Sequence, residues 1–371
     1  MLRRCAAAAA VTALVATAAG CRGPRAIRGE TIEADTTTTA TTSNPTLPVF
    51  TAPPTVMTPP TISFPAPAPG SDAPRLAIVL RAGREDGEWE RAARDAGASL
   101  ERGGVISQLE VRDEIAEGAE AREILRALAA KGFDPIIAHS FHYADDVDLV
   151  ASEYPNTLFV YAGGAGDVHG NVGDYSQRFH EPAYLEGILA AGATDGTISA
   201  VAGFDTPNCR SFVNSFVAGA REIDAGATVR YTSVDSWTDE VAAEDAARTA
   251  AAAGARIFIG CGFAPTIGGV VAAAEVDGVA LGYIADMSDR GLSVLASFRW
   301  NLDAVFELMV ADVVAGRAEA RYYEVPLRDG GFDVVINPDS RHTVSTEALA
   351  LYERRLAEIE RGIFVVAADE S

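Results

Sequence analysis

From Arg75 onward, short apolar runs alternate with longer segments whose apolar residues recur at helical spacing. RLAIVL, from Arg75, reads as a buried strand, and Glu85–Ala98 follows with Trp89, Ala92, Ala93 and Ala96 on one side. Val105–Val111 is a second strand, Ala121–Lys131 a helix closed by Gly132, FDPIIAHS a strand, Asp145–Glu153 a helix, and TLFVYAGG a strand ending in glycines. The pattern restarts with the strand TISAVAGF and the helix Ser211–Ile223, then ATVRYTSV and Asp239–Ala253, then ARIFIGCG and GVALGYIA. Strands alternating with helices of this length predict parallel sheets covered on both faces.

Between the two repeats lies NVGDYSQRFHEPAYLEGILAAG, residues 171–192. Tyr175–Phe179 is expected to cross from a first lobe to a second, and Tyr184–Gly192 to be the first helix of the second lobe. LSVLASFRW (292–300) reads as a return crossing, Asn301–Ala315 as a helix packing back on the first lobe, and RYYEVPL as a third crossing. Thr346–Arg361 is a terminal amphipathic helix and Ile363–Val366 a short last strand. The predicted fold class is therefore α/β, two doubly wound parallel-sheet lobes joined by a three-segment hinge. Residues 74–178 and 295–318 form lobe one, and 179–294 and 319–366 form lobe two. Strand C-termini of both lobes then face one cleft, where a ligand is expected.

The N-terminal part has a different grammar. Residues 1–20 hold Arg3 and Arg4, then an apolar run to Ala19, too short to span a bilayer and suited to a signal peptide. Ala18-Ala19-Gly20-Cys21 looks like a bacterial lipobox with Cys21 as the acylated residue; simple secretory cleavage is the alternative. Residues 21–73 form a tether, for positions 31–70 carry twelve Thr and nine Pro and no Lys or Arg. Such a segment cannot offset its conformational entropy. At roughly 3 Å per residue it would hold a domain on the order of 100 Å from its anchor.

The net charge of −22 disfavours nucleic acid and anionic lipid as partners. Of four cysteines, Cys5 falls in the leader and Cys21 at the lipobox. Cys209 and Cys261 follow the first and third strands of lobe two, which are neighbours in a flavodoxin-like order. A disulfide between them and two free buried thiols are both open.

Two tryptophans stand at equivalent strand ends, Trp89 after the first strand of lobe one and Trp237 after the second strand of lobe two. One flat apolar surface per lobe suits a planar heterocycle, each stacked face contributing about 1–3 kcal/mol. The bland alternative is that each indole plugs its own lobe. Asp286 ends GVALGYIA, where a carboxylate can accept hydrogen bonds from hydroxyls or a base N–H, or cap the next turn. His139-Ser140-Phe141-His142 invites a metal reading, but spacing supplies no third ligand, and Phe141 is better read as a cleft wall. Gly163-Gly164-Ala165-Gly166 and Gly260-Cys261-Gly262 lack the spacing of a dinucleotide cradle.

Several of these segments together resemble one family. Arg84-Glu85-Asp86-Gly87-Glu88-Trp89, Arg178-Phe179-His180-Glu181-Pro182-Ala183-Tyr184-Leu185-Glu186-Gly187, NCRSFVNSFVAGAR (208–221), Ser233-Val234-Asp235-Ser236-Trp237 and Gly282-Tyr283-Ile284-Ala285-Asp286-Met287-Ser288 are similar to segments of the basic membrane protein family. These lipoproteins are the substrate-binding components of ABC transporters for purine nucleosides and related bases. The resemblance, over about 75–366, implies the type I periplasmic-binding-protein fold, a small-molecule ligand and an ABC permease as partners, and attachment to the outer face of the cell membrane through the lipid anchor. It further implies a monomer, no cofactor, no metal and no catalysis. It implies ribose binding at Asp286 and a sugar-proximal place for Arg299 or Trp300; Asp86 and Glu90, which flank Trp89, are placed to contact base nitrogens, though helix capping explains Asp86 as well. Arg81 and Glu90 depart from the residues that nucleoside binders often carry there, so another base or another flat molecule remains open. A sensor without a transporter and, more remotely, a nucleoside-processing enzyme are the rival readings.

Overall fold

The computed structural model describes residues 73–83, 87–163, 166–175, 178–316 and 320–371. The expected signal peptide, the tether, Cys21 and Asp86 lie outside the described residues. The first lobe is built in chain order from β1 (Arg75–Val79), α1 (Glu88–Arg102), β2 (Gln108–Arg112), α2 (Ala119–Ala130), β3 (Ile136–Ala138), α3 (Ala144–Ala151), β4 (Phe159–Ala162) and β5 (Val172–Tyr175). The second continues with α4 (His180–Ala193), β6 (Thr197–Ala202), α5 (Pro207–Arg221), β7 (Val229–Ser233), α6 (Glu240–Ala252), β8 (Ala255–Cys261), α7 (Phe263–Glu275), β9 (Val279–Gly282) and β10 (Val294–Trp300). After β10 come α8 (Leu302–Val314), β11 (Tyr322–Tyr323), β12 (Phe332–Ile336) and α9 (Thr346–Glu360).

The strands make two six-stranded sheets, in the orders β11-β5-β4-β3-β1-β2 and β12-β10-β9-β8-β6-β7. The pairings are parallel except that of β10 with β12. Alternate side chains of each central strand serve opposite faces. In β1, Leu76 and Ile78 join the core under α1, while Ala77 and Val79 join the one under α2 and α3. In the second lobe Ile257 and Ile259 face α5, and Phe258 faces α6 and α7. This two-sided burial is why the strands read as continuous apolar runs.

The chain changes lobe three times, after β5, after β10 and after β11. Two of these crossings differ from expectation. Residues 292–300 were expected to return to the first lobe, yet β10 stays in the second sheet, paired with β9 and β12, and the crossing begins after Trp300. β11 pairs with β5 in the first sheet, so residues 322–323 belong to lobe one. The helix after the first crossing begins at His180, four residues before the expected start. α4 is buried on almost every side against α5, α9 and β10, so its sequence lacks a polar stripe to mark its start. β5, α7 and β12 were not anticipated, and the expected strand at Ile363–Val366 is absent. There the tail runs along α5, with Asn214 donating to the Asp369 carbonyl (3.0 Å) and Ser215 to that of Ala367 (3.1 Å).

The first and third crossings are tied by charge. Arg178 pairs with Glu181 (3.0 Å) and Glu324 (3.0 Å), and Glu181 accepts the Leu327 backbone N–H (2.7 Å).

Candidate functional site

Strand ends of the first lobe assemble a group of rings. Trp89 is the second residue of α1, and its indole Nε1–H donates to the carbonyl of His139, just past β3 (3.0 Å). The two rings stack with centroids 4.5 Å apart at 21°. His139 Nε2 lies 2.9 Å from the Trp89 carbonyl, and Nδ1 meets the hydroxyl of Tyr175, the last residue of β5. Burial pushes the His139 pKa down to about 3, so the imidazole is neutral. Trp300, ending β10 of the second lobe, closes the group 5.4 Å from Trp89 and 6.2 Å from Tyr175. Phe179 of the first crossing meets Trp300 edge-on at 5.2 Å.

On the second lobe, Trp237 follows β7 and lies over Gly203 and Gly262, the residues that follow β6 and β8. A Cβ at either glycine would collide with its ring. Phe204 approaches it at 5.1 Å. The floor beneath is held together. Gly203 N–H donates to Cys261 (3.0 Å), Ser236 N–H donates to Gly203 (2.8 Å), and a disulfide joins Cys209 to Cys261 with Cα atoms 5.6 Å apart.

The remaining candidates are placed as follows. Asp286 is exposed, and its Oδ1 accepts the backbone N–H (3.0 Å) and hydroxyl (2.6 Å) of Ser288, which lower its pKa. It thus makes the turn-capping contacts allowed for above. Arg299 pairs with Asp333 across the β10–β12 ladder (2.9 Å), on the strand face opposite Trp300. The two cannot share one role, and Trp300 is the one in the ring group. Phe141 is 40% exposed and stacks on His142 at 4.1 Å. Glu90 lies half-buried in the first turn of α1. Arg81 is engaged by Glu117 at 2.8 Å. No cluster of three metal-ligating side chains occurs among the described residues.

One contact between the lobes had no counterpart in the sequence reading. Glu88, buried at the start of α1, pairs with Arg91 in the same helix (2.8 Å) and with Arg290 of the second lobe (3.2 Å). Arg290 lies 5.9 Å from the Phe263 ring, which packs against Gly87. A cavity of about 340 Å³ beside this pair is lined by Glu88, Arg91, Asp286, Arg299, Trp300 and Asn301. It brings three of the expected residues together, Asp286, Arg299 and Trp300; neither Trp89 nor Trp237 is among them. An acid in a helix's first turn is an ordinary sequence feature, and nothing local points it to Arg290.

A family profile described as ABC transporter substrate-binding protein, PnrA-like (Bmp) matches residues 74–353. The chain belongs to this family. A purine-binding protein of Brucella abortus is 31% identical over 137 residues, covering 37% of this chain and 39% of that protein. A putative ABC transporter glucose-binding protein of Haloferax volcanii is 32% identical over 130 residues, covering 35% of this chain and 33% of its own. The chain thus aligns with only about two fifths or less of either curated relative's length. The solved structure of an ABC transporter solute-binding protein from Conexibacter woesei superposes with a TM-score of 0.63 at 20% identity, covering 80% of this chain and 99% of the other. At that identity the likeness speaks for the fold, the two-lobed periplasmic-binding-protein architecture.

Proposed function

We propose that this protein captures a purine nucleoside or nucleobase between its lobes and presents it to an ABC permease from the outer side of the cell membrane. The carrying observation is that each lobe fixes one indole at its strand ends by dedicated support: His139 under Trp89, the glycine floor under Trp237. In this reading a flat solute lies against the two supported indoles, with Trp300 and Asp286 serving the sugar. The purine-binding relative in Brucella agrees with this choice. Export and Cys21 acylation would supply the anchor, with the Thr/Pro-rich segment as the tether. Binding and release, without covalent chemistry, complete the cycle in a monomer. Isothermal titration of the full chain with adenosine, guanosine, adenine and guanine tests this, and no heat from any of them ends the reading.

A sugar is the second reading, favoured by the Haloferax relative and by the polar cavity at Asp286 and Arg299. Glucose in the same titration decides between them.

A further inference from the structure

We infer that His139 is a positioning residue that holds Trp89 ready to stack, and that the Trp89 carbonyl fixes which nitrogen of His139 carries the proton while the Tyr175 hydroxyl donates to the other. The inference rests on the reading of Trp89 as a ligand-facing ring. The Trp89 carbonyl can only accept, so the His139 Nε2 that lies 2.9 Å away must be the protonated nitrogen. A neutral imidazole has one N–H, so Nδ1 keeps its lone pair and accepts from the Tyr175 hydroxyl. His139 is 1% exposed, and a second proton would place an unpaired charge in the interior. Tyr175 cannot turn away, because its ring meets Phe306 edge-on at 5.9 Å and lies 6.2 Å from Trp300.

Trp89 is consequently gripped at both polar ends. Its main-chain carbonyl takes the Nε2–H, and its indole N–H gives to the His139 carbonyl at 3.0 Å. With the imidazole stacked on one face, the indole has little rotamer freedom left to lose on binding. The Tyr175–His139–Trp89 relay also starts at the last residue of β5, where the chain leaves the first lobe. The orientation of the ring is thereby tied to the hinge.

The test uses the full chain labelled with ¹⁵N-histidine, in which long-range ¹H–¹⁵N spectra distinguish the two neutral tautomers. His139→Gln assigns the signal among the five histidines. His139 is expected as the Nε2–H form in the wild type and in Tyr175→Phe alike, since the Trp89 carbonyl stays in place. In titration with adenosine, His139→Ala is expected to weaken binding about tenfold, with His139→Gln recovering most of it through an amide N–H near the Nε2 position. Trp89→Ala is expected to cost less on top of His139→Ala than it does alone, since His139 acts through the Trp89 ring. A wild-type Nδ1–H tautomer overturns the inference. So does unchanged affinity in a folded His139→Ala when Trp89→Ala has lost it. If the wild type ignores adenosine, the nucleoside reading alone has failed. The fluorescence anisotropy decay of Trp89 in a Trp237→Phe/Trp300→Phe background then decides the inference. Faster indole motion in His139→Ala supports it, and unchanged motion refutes it.

Discussion

Glu186 lies on α4 with its side chain fully buried, and neither carboxylate oxygen completes a hydrogen bond. The Phe298 backbone approaches without meeting hydrogen-bond geometry. Burial outweighs that approach and raises the Glu186 pKa well above 4.5. The folded protein therefore keeps a proton that the unfolded chain releases once pH exceeds about 4.5. The unfolded state gains by ionising, and this residue's contribution to stability falls as pH rises until the folded form also ionises. Glu186→Gln removes that penalty, so it should stabilise the protein at pH 8 more than at pH 5. Urea midpoints at the two pH values check this; an equal shift at both would refute it. At the same scale, Trp237→Ala should cost at least tenfold in ligand affinity, about 1.4 kcal/mol, without loss of fold. Calorimetry with the best-binding nucleoside or base reads it. The strand-end placement of the two tryptophans was legible, because each follows an apolar run that reads as a strand of a doubly wound sheet. Their supports were not. His139 lies 50 residues from Trp89, and the glycines beneath Trp237 look like any strand-end turn.

α4 and α5 show what packing demands of an element. At Gly187 an added Cβ would run into the Phe216 carbonyl oxygen, and at Gly219 into the Tyr184 carbonyl. The obstacles are main chain, so neither side can yield by changing rotamer. The two helices approach as closely as they do because both contact points lack a side chain. Gly219→Ala should therefore destabilise the protein by roughly 2–3 kcal/mol, more than the helix-propensity gain returns, as measured by urea denaturation. Most of the alternating strands and helices from Arg75 to Ala285 were legible, because burial on both sheet faces leaves unbroken apolar runs; β5, short and read as part of the crossing, and α7, apolar on nearly all sides, were not. The last third was harder. β10 is as apolar as a crossing segment, and only its pairing with β9 and β12 keeps it in the second sheet. Ile363–Val366 has an apolar strand composition, but its polar backbone groups find no ladder. It packs as an extended tail, with Phe364 against Tyr184 at 5.2 Å.

For the whole molecule the question is what sets the balance between open and closed lobes. Besides the contacts of Trp300 with Trp89 and Tyr175, the lobes meet at Glu88 and Arg290, with Gly87 against Phe263 beside them. Glu88 is 5% exposed, so it would be costly to leave without a cation. Arg91, in the same helix, remains beside it whichever way the second lobe swings. Opening thus exchanges a shared carboxylate for a singly paired one and never orphans it, which keeps the barrier to ligand entry low. Removing each arginine should then have opposite effects. Arg290→Ala deletes the one partner of Glu88 among the described residues that depends on closure, so the open form gains by about 1 kcal/mol, roughly fivefold in population. Arg91→Ala leaves Arg290 as the sole counter-charge, so the closed form gains. Small-angle scattering of the ligand-free protein should give a larger radius of gyration for Arg290→Ala and a smaller one for Arg91→Ala. Ligand dissociation should quicken in the first variant and slow in the second. Shifts of the same sign in both would mean that Glu88 is a local structural charge and that closure is governed elsewhere.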